Sequence, residues 1–597
     1  MADAVRRFAG ANVKDYGGIG GLKTVSVRNM GAAHTAVSYD GVVVSNCQAG
    51  QIDIGRFSLD NVSVLSLNIG QPEDLLQSAR MYASAGVLSI ETEKPHFENE
   101  RNSAFRVQMR GGSFGYVSPS IRWWQKAGSR TSFSLNGNYM RADGNYPFTL
   151  VNGKYVTEEK RNNSAIYTYQ IEPTLFHTFK DSSNLELKAY YFYSKRGLPG
   201  SVTLYNPISD ETLWDENVFI QTRYKKDFSQ KWSLQAQAKY NHGWNKYEDK
   251  GNEYADGLYR AVHRQDEYYL SATALYRPWN VLSLSLAQDG IINKLRSNLP
   301  DCSFPIRYTS LTAFNARYRQ GRITATGSLV YTNVTEHVKI GDVPADFQRL
   351  APSFTVSLQP WQEQLLFLRL MYKSTFRMPT FNDLYYYRLG NRSLRPEKAN
   401  EYNMGITWSR SFSSFLNYLS VTVDGYYNDV TDKIVAFPTT YAWKMANYGK
   451  VHVTGMDATL AAAASLGKNM VLVVSGGYTW QKAIDLTDAT SKSYKDQLPY
   501  TPKHSGNVSA VLEMPWVNVG YSIVGVSERY SMSQNIPENR IDGYMEHTVS
   551  LSRNFSFRHC KLRLQAEIIN LTDTQYDVIK YYPMPGRSWR LTGTIEF

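Results

Sequence analysis

Two small sets of residues in this chain could hold a ligand, and none could carry a catalytic cycle. The first set is Asn46, Gln48 and Gln51. These neutral amides offer hydrogen-bond donors and acceptors within one short stretch, which suits a ligand rich in amides and equally suits a loop whose amides satisfy its own backbone. The second set is Asp249, Glu253 and Asp256, in the polar stretch Tyr247 to Glu267. Their carboxylates could bind a hard cation such as Ca2+ through oxygen, but a solvated acidic loop is the commoner role of such a set. The absences are as informative. No H-E-x-x-H, G-x-S-x-G, Walker or Cys-x-x-Cys pattern occurs, and the ten His are dispersed. Cys47, Cys302 and Cys560 are odd in number and far apart, so they support neither a disulfide framework nor a thiolate metal site. An enzyme is set aside, and no cofactor is expected beyond a structural Ca2+ in the loops.

The elements that must position these residues are all β. From Leu22 to Pro95, short β-branched runs (Val25 to Val27, Val42 to Val44, Val62 to Leu67, Val87 to Ile90) are separated by polar, Gly-containing turns. That is the sign of a small mixed sheet with irregular loops. From Ala104 onward the period is two. Leu185, Leu187, Ala189, Tyr191 and Tyr193 alternate with Glu186, Lys188 and Tyr190. Trp232, Leu234, Ala236, Ala238 and Tyr240 alternate with Ser233, Gln235, Gln237 and Lys239. These segments of about 8–10 residues, apolar on one face and charged on the other, have the length of strands crossing an outer membrane. In lipid every backbone donor needs a partner, so such strands must close into a barrel, with the polar face as lumen. At about 22 residues per strand and connection, the stretch holds about 22 strands, wide enough to enclose a folded domain.

Composition agrees. Aromatic residues make up 13%, including 43 Tyr and 12 Trp, as the girdles of a membrane barrel require. Mean hydropathy is −0.41, and no run of 18 apolar residues exists, so no transmembrane helix is expected. The formal net charge of +12 comes from scattered Lys and Arg. It favours anionic lipopolysaccharide or an anionic ligand over nucleic acid, for which no module is visible.

The chain ends on Trp589, Leu591, Gly593, Ile595 and Phe597, alternating with Arg590, Thr592, Thr594 and Glu596. This ending resembles the C-terminal signal read by the outer-membrane barrel assembly machinery, with Trp589, Leu591, Ile595 and Phe597 as its outward residues. Three further stretches resemble the TonB-dependent outer-membrane receptor family. The first is Val27-Arg28-Asn29-Met30, His34, Asp40-Gly41-Val42 and Ala85 to Ile90, similar to the plug; Asn29 stands where the family usually has Gly. The second is Phe376-Arg377-Met378-Pro379-Thr380-Phe381-Asn382-Asp383-Leu384-Tyr385, followed by Gly390-Asn391 and Arg395-Pro396-Glu397. The third is Asn570-Leu571-Thr572-Asp573 through Tyr576 to Gly586-Arg587. The wording of the second is similar to cobalamin-type receptors of Bacteroides-like bacteria.

The resemblance implies residues 1–98 as a plug domain in the lumen, mixed α/β, and 99–597 as an antiparallel transmembrane barrel of about 22 strands. Ala4 to Val13 resembles a mid-plug segment and the first residues lack an apolar h-region. The resemblance therefore places export signal, Ton box and first plug strands before Met1. It implies plug apices at Met30 to His34 and Ser45 to Gln51, and so names Met30, His34, Asn46, Gln48 and Gln51 as ligand-binding residues. The implied function is uptake of a large scarce nutrient, cobalamin or a related corrinoid, driven through the TonB–ExbB–ExbD complex. The alternatives are a ferric siderophore or haem receptor, or a non-energised barrel without its Ton box. Thr380 to Arg392 contains no His, which counts against haem. Implied partners are the small-molecule ligand, outer-membrane lipid and lipopolysaccharide, and a surface lipoprotein that captures ligand.

Overall fold

The alternation from Ser103 onward closes on itself. In the computed structural model, which describes all residues except 98–100, 153, 203–208, 252–253, 255, 301, 387–388, 414, 439–442 and 468, 22 antiparallel strands form one closed barrel. The last strand, Ser588–Glu596, pairs with the first, Ser103–Gly112, from Arg590↔Gly112 to Glu596↔Arg106. Phe105 and Phe597 exchange backbone hydrogen bonds beyond that register. Closure leaves no sheet edge, as a lipid environment requires.

The two faces divide as the alternation predicts. Leu187, Tyr191, Trp232, Leu370 and Leu591 are exposed on the outer face, whereas Lys188, Tyr190, Gln235, Gln237 and Lys239 are buried in the lumen. The four residues of the assembly signal, Trp589, Leu591, Ile595 and Phe597, all lie on the outer face. Turns are short at the end that carries Phe597: residues 280–281 and 321–322 are complete connections there. At the other end connections are long, as at 378–396, 486–503 and 527–543.

The strands are longer than the expected 8–10 residues. Trp443–Gly467 has 25 residues, about 80 Å at roughly 3.3 Å per residue, far more than an apolar band of about 25 Å needs. The ladder continues past the lipid because its backbone bonds remain paired there. Tyr247 to Glu267, expected as one loop, is therefore mostly strand: Trp232–Asp249 and Tyr259–Trp279 flank a connection at 250–258. Asp485 ends the strand Met470–Asp485.

Inside the barrel, residues up to Thr92 form two sheets. β1 (Ala11–Asp15) and β2 (Lys23–Val27) make a hairpin. β3 (Thr35–Tyr39), β4 (Val42–Val44), β5 (Val62–Ile69) and β6 (Gly86–Thr92) form a sheet in the order β4-β3-β6-β5, with β3 and β6 parallel. The two helices are single turns, α1 (Ala2–Val5) and α2 (Ala79–Ala83). The sheet is mixed, but β2 lies outside it, and its centre includes β3, which the β-branched runs left out. The core joins both domains: Val37, Tyr39, Phe57, Leu88 and Ile90 pack with Tyr190 and Phe219 of the barrel wall.

Candidate ligand-binding site

The N-terminal domain is fastened to the wall by buried charges. Lys188, 1% exposed, sends its Nζ to Asp40 Oδ2 and Glu172 Oε1, both at 2.5 Å, and to Thr92 Oγ1 at 3.0 Å. Tyr39 donates to Glu172 Oε2 at 2.6 Å. Burial alone would push the Asp40 carboxyl up; the Lys188 ammonium and the Thr92 bonds hold it below its ordinary value. Arg28 pairs with Asp457 at 3.0 Å and lies 4.0 Å from the centre of the Tyr426 ring. Arg80 pairs with Glu267 at 3.4 Å.

Three turns of this domain reach the long-loop end. The β1–β2 turn, Tyr16 to Leu22, abuts Tyr146, Ser164 and Pro585 through Gly17, Gly18 and Gly20. The second turn, from Arg28 to His34, needs the left-handed backbone at Arg28 (φ 47) and Asn29 (φ 53). That geometry explains the glycine usual at position 29: Asn is among the few residues that adopt it at modest strain. Met30 is buried under the Lys433 ammonium, which donates to its carbonyl at 3.0 Å. His34 Nε2 lies 2.6 Å from Glu397 Oε2. Burial holds its imidazole below the ordinary 6.5, more than Glu397 offsets, so the neutral ring donates to the carboxylate. The third turn, Ser45 to Gln51, is gripped by the Phe376 to Tyr385 motif. Thr380 and Asp383 close a capping box over α3 (Phe381–Tyr385). The amides of Phe381 and Asn382 then donate to the carbonyls of Cys47 and Gln48. Burial, with Glu267 nearby, pushes the Cys47 thiol up to about 12.

These turns and the loops opposite enclose a cavity of about 620 Å3. Met30, His34 and Gln51 line it. Asn46 and Gln48 do not: Asn46 Oδ1 accepts from its own loop, Gln48 N at 3.1 Å and Ala49 N at 3.0 Å, and the Gln48 side chain is buried. Residues that motif reasoning missed take their place: Asn12, Lys14 and Tyr16 from the first hairpin, Lys433 from the wall, Gln497 and Tyr500 from a loop. The Gly-rich turn after Tyr16 was the available signal for the first three. The others are visible only once the barrel is closed. Of the acidic set, Asp249 accepts from Tyr254 OH at 2.7 Å, Asp256 sits in the following turn, and Glu253 lies outside the described residues. Among the described residues no three His, Cys, Asp or Glu side chains group as a metal site.

A closed 22-stranded barrel with a folded N-terminal domain in its lumen is the architecture of a plugged outer-membrane transporter. Residues 96–571 match the family described as TonB dependent receptor-like, beta-barrel, and the chain belongs to it. It is an outer-membrane transporter, not an enzyme, and its family draws on TonB for energy. The long loops are accordingly extracellular and the short turns periplasmic. Among solved structures the chain is similar to the copper transporter OprC (TM-score 0.79, 15% identity, covering 100% of this chain and 95% of that one). It is also similar to the FrpB iron transporter from Neisseria meningitidis (0.79, 15%, 100% and 96%) and to the ferric citrate transporter FecA in its unliganded form (0.78, 12%, 100% and 94%). At these identities the likeness concerns the fold.

Proposed function

We propose that this protein imports a metal chelate, captured in the extracellular cavity and released inward when TonB displaces the plug. The observation that carries the reading is the cavity itself. Its 620 Å3 falls in the range of about 300–1,000 Å3 that encloses a small organic ligand. Both the plug and the extracellular loops contribute to its lining, so a bound ligand would touch the part that must move. Structures with the same fold are described as copper, iron and ferric citrate transporters, which supports a metal-bearing cargo. Tight binding outside and release inside require external work, because a ligand alone shifts no equilibrium beyond its own differential affinity.

A corrinoid is the second reading, and one observation favours it: the amides Asn12, Asn29, Gln51, Gln497 and Gln534 all line the cavity. Its polyamide rim would match them, although its bulk would leave much of the ligand above the cavity. Accumulation of ferric citrate, a ferric hydroxamate, haem and cyanocobalamin, measured in cells with and without TonB, separates the readings. TonB-dependent accumulation of a ferric chelate supports the first. Accumulation of cyanocobalamin alone establishes the second, and TonB-independent leakage of all four would mean a passive barrel.

A further inference from the structure

Five adjacent strands of the wall carry a basic patch on their outer face: Asn184–Leu198, Glu211–Asp227, Trp232–Asp249, Tyr259–Trp279 and Leu282–Ser297. The ladder fixes its layout. Tyr240, Tyr268 and Tyr308 are exposed and share one row, through the pairs Tyr240↔Tyr268, Tyr268↔Ile292 and Ile292↔Tyr308. Trp232 and Tyr276 stack at the periplasmic end of the same strands. Two such aromatic rows mark the edges of the apolar band. Above the extracellular row, in the same outward phase, comes Lys294, then Arg264 beside Arg296, then Lys195 and Lys246 on either side of Trp214, then Arg260. Lys294 is level with His242, two residues past Tyr240, or roughly 7 Å along the strand. That is the depth at which headgroups replace hydrocarbon.

Glu216, Glu248 and Asp266 face the same way, three carboxylates against these six cations. Arg296 takes Asp266 at 2.9 Å, and Lys246 and Arg260 share Glu248 at 3.2 Å and 2.8 Å. Among the described residues Lys195, Arg264 and Lys294 form no ion pair. Aromatic faces hold the lysines at the surface instead. Lys195 and Lys246 place their Nζ 5.4 Å and 3.7 Å from the centre of the Trp214 ring, and Lys294 lies 5.5 Å from that of Tyr268. On the opposite side of the barrel, the outward positions above Tyr521 are Ile523, Gly525, Met545 and His547, with no Lys or Arg. The positive charge is therefore not a uniform rim.

We propose that this sector of the wall docks lipopolysaccharide, with Arg264 and Lys294 holding one phosphate of its lipid headgroup and Lys195 with Lys246 a second. Charge complementarity and depth carry the assignment. A phosphorylated glycolipid of the outer leaflet presents anionic oxygens at headgroup level. Its acyl chains lie against the apolar band below, here the exposed Ile220, Leu270 and Leu286. The Arg264 guanidinium suits phosphate because its planar fork donates in pairs. Each further cation at that depth strengthens the attraction to anionic lipid, and docking neutralises the charges that the three carboxylates leave unpaired.

The test uses the detergent-solubilised full chain. Lipid A with two phosphates, monophosphoryl lipid A, phosphatidylglycerol and phosphatidylethanolamine are offered in the same micelles, and apparent affinity is measured by native mass spectrometry. Lipid A with two phosphates should bind most tightly and weaken with added salt. Arg264→Gln combined with Lys294→Gln, and Lys195→Gln combined with Lys246→Gln, should each lower its affinity roughly tenfold to a hundredfold. Lys398→Gln combined with Lys482→Gln removes the same charge from exposed positions elsewhere on the wall and should leave binding unchanged. Gel shift on heating should show each variant folded. Sector variants that bind lipid A as the parent does would overturn the proposal. So would a control pair that weakens binding equally, or phosphatidylglycerol bound as tightly as lipid A, since either reduces the patch to a diffuse field. Binding of no lipid at all would also overturn it and leave the patch to an acidic protein.

Discussion

The barrel wall and the plug share a lumen but are held in place in opposite ways. In the wall, each strand pairs with its neighbours along a long regular ladder, and apolar side chains such as Leu370 and Leu591 face outward. No single side chain decides its position. In the plug, strands have as few as three residues. Its seating combines apolar clusters shared with the wall, such as Tyr39 and Leu88 with Tyr190 and Phe219, with buried pairs: Asp40 with Lys188, Arg28 with Asp457, His34 with Glu397. Stability is spread along the wall's ladder, whereas the polar anchoring of the plug is concentrated in a few buried pairs.

The largest effect should come from breaking one concentrated contact. Lys188→Ala strands the Asp40 and Glu172 carboxylates in the interior, at a cost of about 3–5 kcal/mol. Planar-bilayer recordings should show increased conductance as the plug unseats, and adding Asp40→Asn and Glu172→Gln should recover much of the loss. An unchanged conductance would remove the contrast between the regions. The wall should respond only where lipid is offended: Leu370→Arg, mid-strand on the outer face, should cost about 2–4 kcal/mol, measured by folding into bilayers. Phe597→Ala should mainly slow assembly, since it removes an exposed terminal aromatic, and time-resolved gel shift would show it.

Smaller effects sharpen the comparison within the plug. The His34 imidazole binds its proton more weakly in the folded state than its ordinary 6.5. Its contribution to stability is therefore complete above about pH 6.5 and declines as pH falls below that value. The protection factor against hydrogen exchange at the Arg28 to His34 turn should fall from pH 7 to pH 5 in the native protein and stay flat in His34→Gln. The smallest effect concerns Cys47. With its thiol pushed up to about 12, maleimide labelling at pH 8 should be slow and should accelerate in Lys188→Ala, as the plug leaves the wall.

The sequence by itself determined the barrel. A period of two, sustained over hundreds of residues, states which side chains face lipid, and the outward Trp589 to Phe597 series states where the barrel closes. Turn chemistry was not legible: the sequence showed Asn29 only as a departure from the usual glycine, and its left-handed backbone is seen in the structure. Strand length was not, because the ladder outlasts the lipid and polar residues past the membrane no longer alternate. The lining of the candidate cavity was legible in part. Met30, His34 and Gln51 line the cavity, but Asn46 looked identical in sequence and is turned into its own loop. Lys14 and Lys433, more than four hundred positions apart, line one cavity only because strand closure brings that part of the wall round to the plug. No local pattern encodes that meeting, since the partners of a buried charge are chosen by the tertiary fold.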